Sequence, residues 1–112
     1  MENYSKSFDR TFHALSDPTR RAVVASLMKG SASVKELAKP FEMGLPSFMK
    51  HIKVLQDSGL VVSEKVGRVR TCYIKTEQLE AAESWLHEQQ KIWNERTNRL
   101  ADYVENLSSV EN

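Results

Sequence analysis

The chain has 112 residues, 40% of them hydrophobic and 28% charged, with a formal net charge of +1. That length suits one domain with a modest core, and no run approaches the ~18 apolar residues that a membrane span needs. The N-terminus MENYSKSFDR lacks the apolar centre of a secretory signal, and the single cysteine, Cys72, leaves no internal disulfide and no multi-cysteine metal site within one chain, so a cytoplasmic protein is expected.

In chain order, Phe8, Phe12 and Leu15 fall at i, i+4 and i+7, which predicts a helix over residues 5 to 15 with Ser5 or Ser7 as its cap. Two phenylalanines on so short a helix need a partner surface, in the same chain or in a second subunit. Ser16-Asp17-Pro18 is a helix start, a polar cap followed by proline in the first turn. This second helix runs through Ala22, Val23, Leu27 and Met28 to Lys29, and Gly30 ends it. Arg20 and Arg21 stand in its first turn, beside the positive end of the helix dipole, so they call for an anion. A local carboxylate and a DNA phosphate both answer that requirement.

Ser33-Val34-Lys35-Glu36 fits a capping box and opens a short third helix that Pro40 interrupts. After the turn Phe41-Glu42-Met43-Gly44, the stretch Leu45 to Gly59 carries Leu45, Phe48, Ile52 and Leu55 on one stripe. Pro46 suits its start and Gly59 its end. The other side bears Ser47, Lys50 and Lys53, with Met49 and His51 on the flanks. By itself this is an amphipathic surface helix; behind a short capped helix and a glycine-containing turn it becomes the second helix of a helix-turn-helix, the one that enters a major groove. Residues 60 to 75 then change period: two short strand-like runs flank a tip at Gly67, with Lys65, Arg68 and Arg70 around it. A two-stranded hairpin in this place is a wing, whose cations reach phosphates or a minor groove.

The charge follows this division. Residues 1 to 46 hold 7 Lys and Arg against 5 Asp and Glu, residues 47 to 75 hold 6 against 2, and residues 76 to 112 hold 3 against 8. A basic middle between less basic ends is the footprint of a small nucleic-acid binder.

From Thr76 to about Leu107 the pattern is helical without Pro or Gly. Leu79, Leu86, Trp93, Leu100 and Leu107 recur every seventh residue, and Trp85 and Ile92 widen the apolar face. A helix of roughly 30 residues spans ~45 Å, more than so small a core covers. A second copy of the chain is the economical partner. The dimer interface is therefore expected at Phe8, Phe12, Leu79, Leu86, Trp93 and Leu100. Two-fold symmetry would offer two recognition helices to successive major grooves of a palindromic site.

The runs ALSDPTRRAVVASL, SVKELA, LPSFMKHIKVLQDSGLV and EKVGRVRTCYI, in this order over residues 8 to 75, resemble the ArsR-type family of bacterial winged-helix repressors. The resemblance implies a homodimeric repressor that leaves its operator when a signal arrives, with Ser47, Met49, Lys50 and His51 at DNA-facing positions. Pro46 and Met49 replace the small hydroxyl residues frequent in the family, so no base preference carries over. Metal-sensing members have a cysteine motif before the recognition helix, where this chain reads ELAKPF. On the last helix it offers His87 with Glu83 and Glu88.

The sequence thus predicts a mainly α, winged helix-turn-helix domain over residues 1 to 112. Residues 1–15 and 76–107 serve dimerisation, 33–59 form the helix-turn-helix and 60–75 the wing. DNA contacts are expected from Ser47, Met49, Lys50, His51, Lys53, Lys65, Arg68 and Arg70, with no metal, cofactor or membrane and an unidentified inducing ligand. The alternative is a winged-helix protein-interaction module with no operator of its own. An enzyme is not expected: His13, His51 and His87 fall on three predicted helices, no nucleophile has an evident base, and there is no glycine-rich phosphate loop.

Overall fold

The computed structural model describes the backbone of residues 2–111 and the side chains of residues 7–108. Its elements are α1 (Glu2–Leu15), α2 (Pro18–Met28), β1 (Ala32–Ser33), α3 (Val34–Ala38), α4 (Leu45–Asp57), β2 (Val61–Val66), β3 (Val69–Ile74) and α5 (Glu77–Glu111). Two compact units divide at Glu80 and Ala81. The first holds the helix-turn-helix and the sheet; the second is the rest of α5.

In the first unit each helix begins where the local chemistry predicts, with one exception. Asp17 caps α2 by accepting from the Arg20 N–H at 3.0 Å. Ser33 and Glu36 close the capping box of α3, Glu36 N–H donating to Ser33 Oγ at 3.2 Å and Ser33 N–H to Glu36 Oε1 at 3.4 Å. These bonds satisfy amides that a helix start otherwise leaves open. The exception is α1: it starts at Glu2, so positions 5 and 7 lie inside the helix and not at its start, and Ser7 Oγ donates to Gln78 Oε1.

The core gathers Val23, Val24 and Leu27 of α2, Val34 and Leu37 of α3, Phe48, Ile52 and Leu55 of α4, and Leu60, Val61 and Cys72 of the sheet region. Phe41 in the turn stacks on Phe48 with ring centroids 5.6 Å apart, which fixes the approach of α3 to α4. On α2, Val23, Val24 and Leu27 face the core, while Ala22 and Met28 face outward. One apolar expectation fails: Leu45, placed on the stripe of Phe48, Ile52 and Leu55, is exposed, because the first turn of α4 projects past the core.

The sheet has three strands in the order β1-β3-β2, all antiparallel, where the sequence predicted two. Ala32 pairs with Cys72 and Ser33 with Thr71. A two-residue strand is too short to show any period. On the other edge β2 and β3 form the predicted hairpin, closed by Val66 against Val69. Gly67 lies at φ +61° while Arg68 keeps a negative φ, the pattern of a type II′ hairpin turn, which glycine tolerates at its first central position. At the end of α4, Gly59 takes φ +81°, as a left-handed helix terminator should.

Candidate nucleic-acid interface

α4 is held from both sides. Helical geometry puts Phe48, Ile52 and Leu55 inward, Lys50 and Lys53 outward, Met49 and Gln56 on one flank and His51 on the other. The three inward residues are fully buried and the two lysines are exposed. Its start has Gly44 as cap residue and no side-chain cap, so the positive end of the helix dipole is uncovered.

On the Met49 flank stands the wing. A groove of about 350 Å³ is lined by Leu45 and Met49 of α4, Lys65, Arg68, Val69 and Arg70 of the wing, and Lys35 of α3. The structure therefore brings Met49, Lys65, Arg68 and Arg70 to one place. Lys35 and the exposed Leu45 belong there too, although one lysine on a short helix carries no pattern that would mark it in the sequence. Arg70 is half-buried and not free to roam: its NH1 donates to Ser63 Oγ at 2.8 Å. The same oxygen accepts from Gln56 Nε2 at 2.6 Å. Ser63 thus ties α4 to both wing strands, which holds Lys65 and Arg68 at a set distance from the helix.

On the opposite flank, Arg20 and Arg21 donate to backbone carbonyls, and neither has a carboxylate at ion-pair distance among the described residues. Arg20 is buried and donates from Nε to Ala14 O at 2.8 Å and from NH2 to His13 O at 3.1 Å. Arg21 NH1 donates to Leu15 O at 2.8 Å. These carbonyls end α1, where partial negative charge accumulates and orphan acceptors need donors. Two cations that are poorly placed on α2 are thereby well placed as the C-terminal cap of α1. Arg20 NH1 also lies 3.0 Å from His51 Nδ1, and Asp17 Oδ2 lies 3.7 Å from the same nitrogen. Burial alone would raise the Asp17 pKa; the Arg20 N–H, the His51 charge when the ring is protonated, the Arg20 charge and the Thr19 N–H together outweigh it and hold the carboxyl below its usual 3.8.

Of the remaining residues, Ser47, Lys50, Lys53, Lys65 and Arg68 are exposed, and His51 is partly covered. Cys72 is sealed in the central strand; burial pushes its thiol pKa up, and the Arg70 charge opposes this only in part. It is packing rather than a reactive thiolate. His87 is exposed, and among the described residues no three His, Cys, Asp or Glu side chains stand close enough to hold a metal ion. No described helix is long and apolar enough to cross a membrane.

The positions proposed for a dimer interface divide. Leu79 packs against the core of the first unit. Phe8 is partly buried and meets Phe12 edge-on at 6.3 Å. In the second unit Ala82 is buried, whereas Leu86, Ile92, Trp93, Leu100, Tyr103, Val104 and Leu107 are all exposed.

Comparison with known proteins agrees with this architecture. Residues 15–64 match the model of a helix-turn-helix domain family. The chain is 33% identical over 109 residues to the HTH-type transcriptional regulator Rv2034 of Mycobacterium tuberculosis, covering 97% of this chain and 95% of that protein. It is 26% identical over 78 residues to the transcriptional repressor SdpR of Bacillus subtilis, covering 70% and 87%. The crystal structure of an ArsR family transcriptional regulator, RHA00566, superposes with a TM-score of 0.78 at 56% identity, over 80% of this chain and 93% of that one. These relatives are transcriptional regulators, and the chain belongs to the ArsR family of winged helix-turn-helix transcriptional regulators.

Proposed function

We propose that this regulator acts in the cytoplasm as a homodimeric repressor that binds a two-fold symmetric operator, with α4 in the major groove and the wing on the adjacent backbone or minor groove. The observation that carries the reading is the shared groove, in which Met49 of α4 faces Lys65 and Arg68 of the wing beside the outward Lys50 and Lys53. A helix and a hairpin set at a fixed spacing around one basic face suit a single duplex. Ser47, Met49, Lys50, His51 and Lys53 then meet base edges or phosphates from α4, while Lys65 and Arg68 neutralise phosphates from the wing. Arg70 contributes its charge and holds the hairpin in place.

Dimerisation follows from the second unit. An apolar stripe repeated every seventh residue and left in water by its own chain suits a copy of itself, since a C2 pair makes one self-complementary seam. α1, with Phe8 and Phe12, completes that interface. Repression rather than activation is supported by the relative SdpR, itself a repressor.

Operator selection from genomic fragments, followed by titration at several salt concentrations, tests the reading. The expected result is a palindromic site whose affinity falls steeply with salt. Lys50→Ala with Arg68→Ala should flatten the slope of log K against log salt by about 2. Unchanged affinity and slope in that double variant would show that the binding surface lies elsewhere.

A further inference from the structure

His51 on α4 and Arg20 on α2 are 31 residues apart in sequence, and their contact has a chemical consequence for what α4 can read. A guanidinium has five N–H donors, no acceptor, and keeps its proton in proteins. At 3.0 Å from Arg20 NH1, His51 Nδ1 must therefore be the acceptor. A neutral imidazole whose Nδ1 accepts carries its one hydrogen on Nε2. Asp17 does not compete for this edge: its Oδ2 is 3.7 Å from Nδ1, beyond hydrogen-bond reach, and already accepts from the Arg20 N–H. Nε2 has no protein partner among the described residues, yet it is not a buried unsatisfied atom, so it reaches solvent.

We infer that Arg20 is a positioning residue for DNA recognition, which fixes His51 as a hydrogen-bond donor through Nε2 towards an acceptor on the DNA. The inference rests on the reading that α4 enters the major groove. The same guanidinium grips His13 O and Ala14 O, so the imidazole is oriented by a group anchored to the end of α1 and not by α4 alone. An imidazole free to exchange tautomers would donate or accept; one with Nδ1 occupied offers the DNA only a donor. Guanine O6 and N7, adenine N7, thymine O4 and phosphate oxygens are acceptors that suit it, whereas the cytosine amino group is not.

Two measurements on the full chain test this. Long-range proton–nitrogen NMR of the 15N-labelled protein at mildly alkaline pH, with the His51 ring assigned by its absence in His51→Gln, should show a protonated Nε2 and an accepting Nδ1. A ring protonated on Nδ1 overturns the inference, whatever any variant does. On the selected operator, His51→Ala should weaken binding about tenfold, while His51→Gln, whose amide can donate from near the Nε2 position, should recover most of it. Arg20→Lys, whose single nitrogen cannot stand where Nε, NH1 and NH2 each meet a different acceptor, should lower affinity towards that of His51→Ala, and the double variant Arg20→Lys/His51→Ala should bind no worse than His51→Ala. If Arg20→Lys does not fold, the NMR result and the two His51 variants still decide. A loss confined to particular base pairs puts the acceptor on a base edge, and a uniform loss puts it on a phosphate; either supports the inference. Wild-type affinity and selectivity in His51→Ala, with binding abolished by Lys50→Ala/Arg68→Ala, would overturn the inference and leave the reading of α4 intact. Wild-type binding by both would overturn that reading as well.

Discussion

α4 and the distal part of α5 both repeat apolar residues at helical spacing. Phe48, Ile52 and Leu55 are closed off from water, whereas Trp93, Leu100 and Tyr103 each keep more than 60% of their surface. The difference teaches what periodicity reports: it marks the face that has to be covered and says nothing of what covers it. For α4 the cover is its own chain, through α2 and β2. The stripe on α5 remains in water in a single chain, and its regular seventh-residue spacing is the property that a second identical helix can use.

The sharpest way to break this comparison is to charge the α5 stripe. Trp93→Glu with Leu100→Glu removes four apolar side chains from a two-fold interface, which should cost roughly 6 kcal/mol or more of association free energy. Sedimentation equilibrium should then find monomers whose helix-turn-helix still folds, and the melting temperature should lose its dependence on protein concentration. An unaltered dimer would place the interface elsewhere. Phe48→Ala is the matching experiment on α4. It empties a fully buried site that also stacks on Phe41, and urea denaturation should show a loss of about 3–5 kcal/mol.

Smaller effects sharpen the picture of how α4 is held. Asp17→Ala removes the α2 cap and should destabilise by about 0.5–2 kcal/mol. Asp17→Asn keeps a capping oxygen but loses the charge, so it isolates the electrostatic part. The Asp17 pKa is lower in the folded chain than in the unfolded one, so the native state binds fewer protons. Its contribution is complete above the ordinary value of 3.8 and is lost as pH falls through the folded value. The advantage of the wild type over Asp17→Asn should shrink on acidification in that window, as measured by thermal melts against pH. Ser63→Ala is the mildest. It deletes the shared acceptor of Gln56 and Arg70, and should lower stability by about 1 kcal/mol. Amide exchange in β2 and β3 should quicken, while exchange in α2 stays unchanged.

Much of the fold was legible because its signals are local. The Asp17 cap, the Ser33–Glu36 box, the stop at Gly59 and the turn at Gly67 each depend on a few adjacent residues with fixed conformational preferences. The outward face of α4, proposed here to meet DNA, was legible in outline for the same reason: Lys50 and Lys53 share one side of a helix by spacing alone. What escaped was non-local or too short to have a pattern. β1 has two residues, and its pairing with β3 joins positions 38 and 40 apart. Leu45 matched the apolar stripe but sits beyond the core's reach. Arg20 and Arg21 read as cations in search of a carboxylate or phosphate, because the carbonyls that end α1 cannot be seen as acceptors until the two helices meet.

By itself, then, the sequence determined the order of helices, turn and hairpin, the inner face of α4 and the uneven distribution of charge, all properties of residues near one another along the chain. Only the tertiary structure decided that Ser63 joins α4 to the wing and that Arg20 joins α1, α2 and His51. Those bonds depend on distances across the fold. A hydrogen bond that is made at 3 Å and gone a little beyond it leaves no trace in a pattern of residue types.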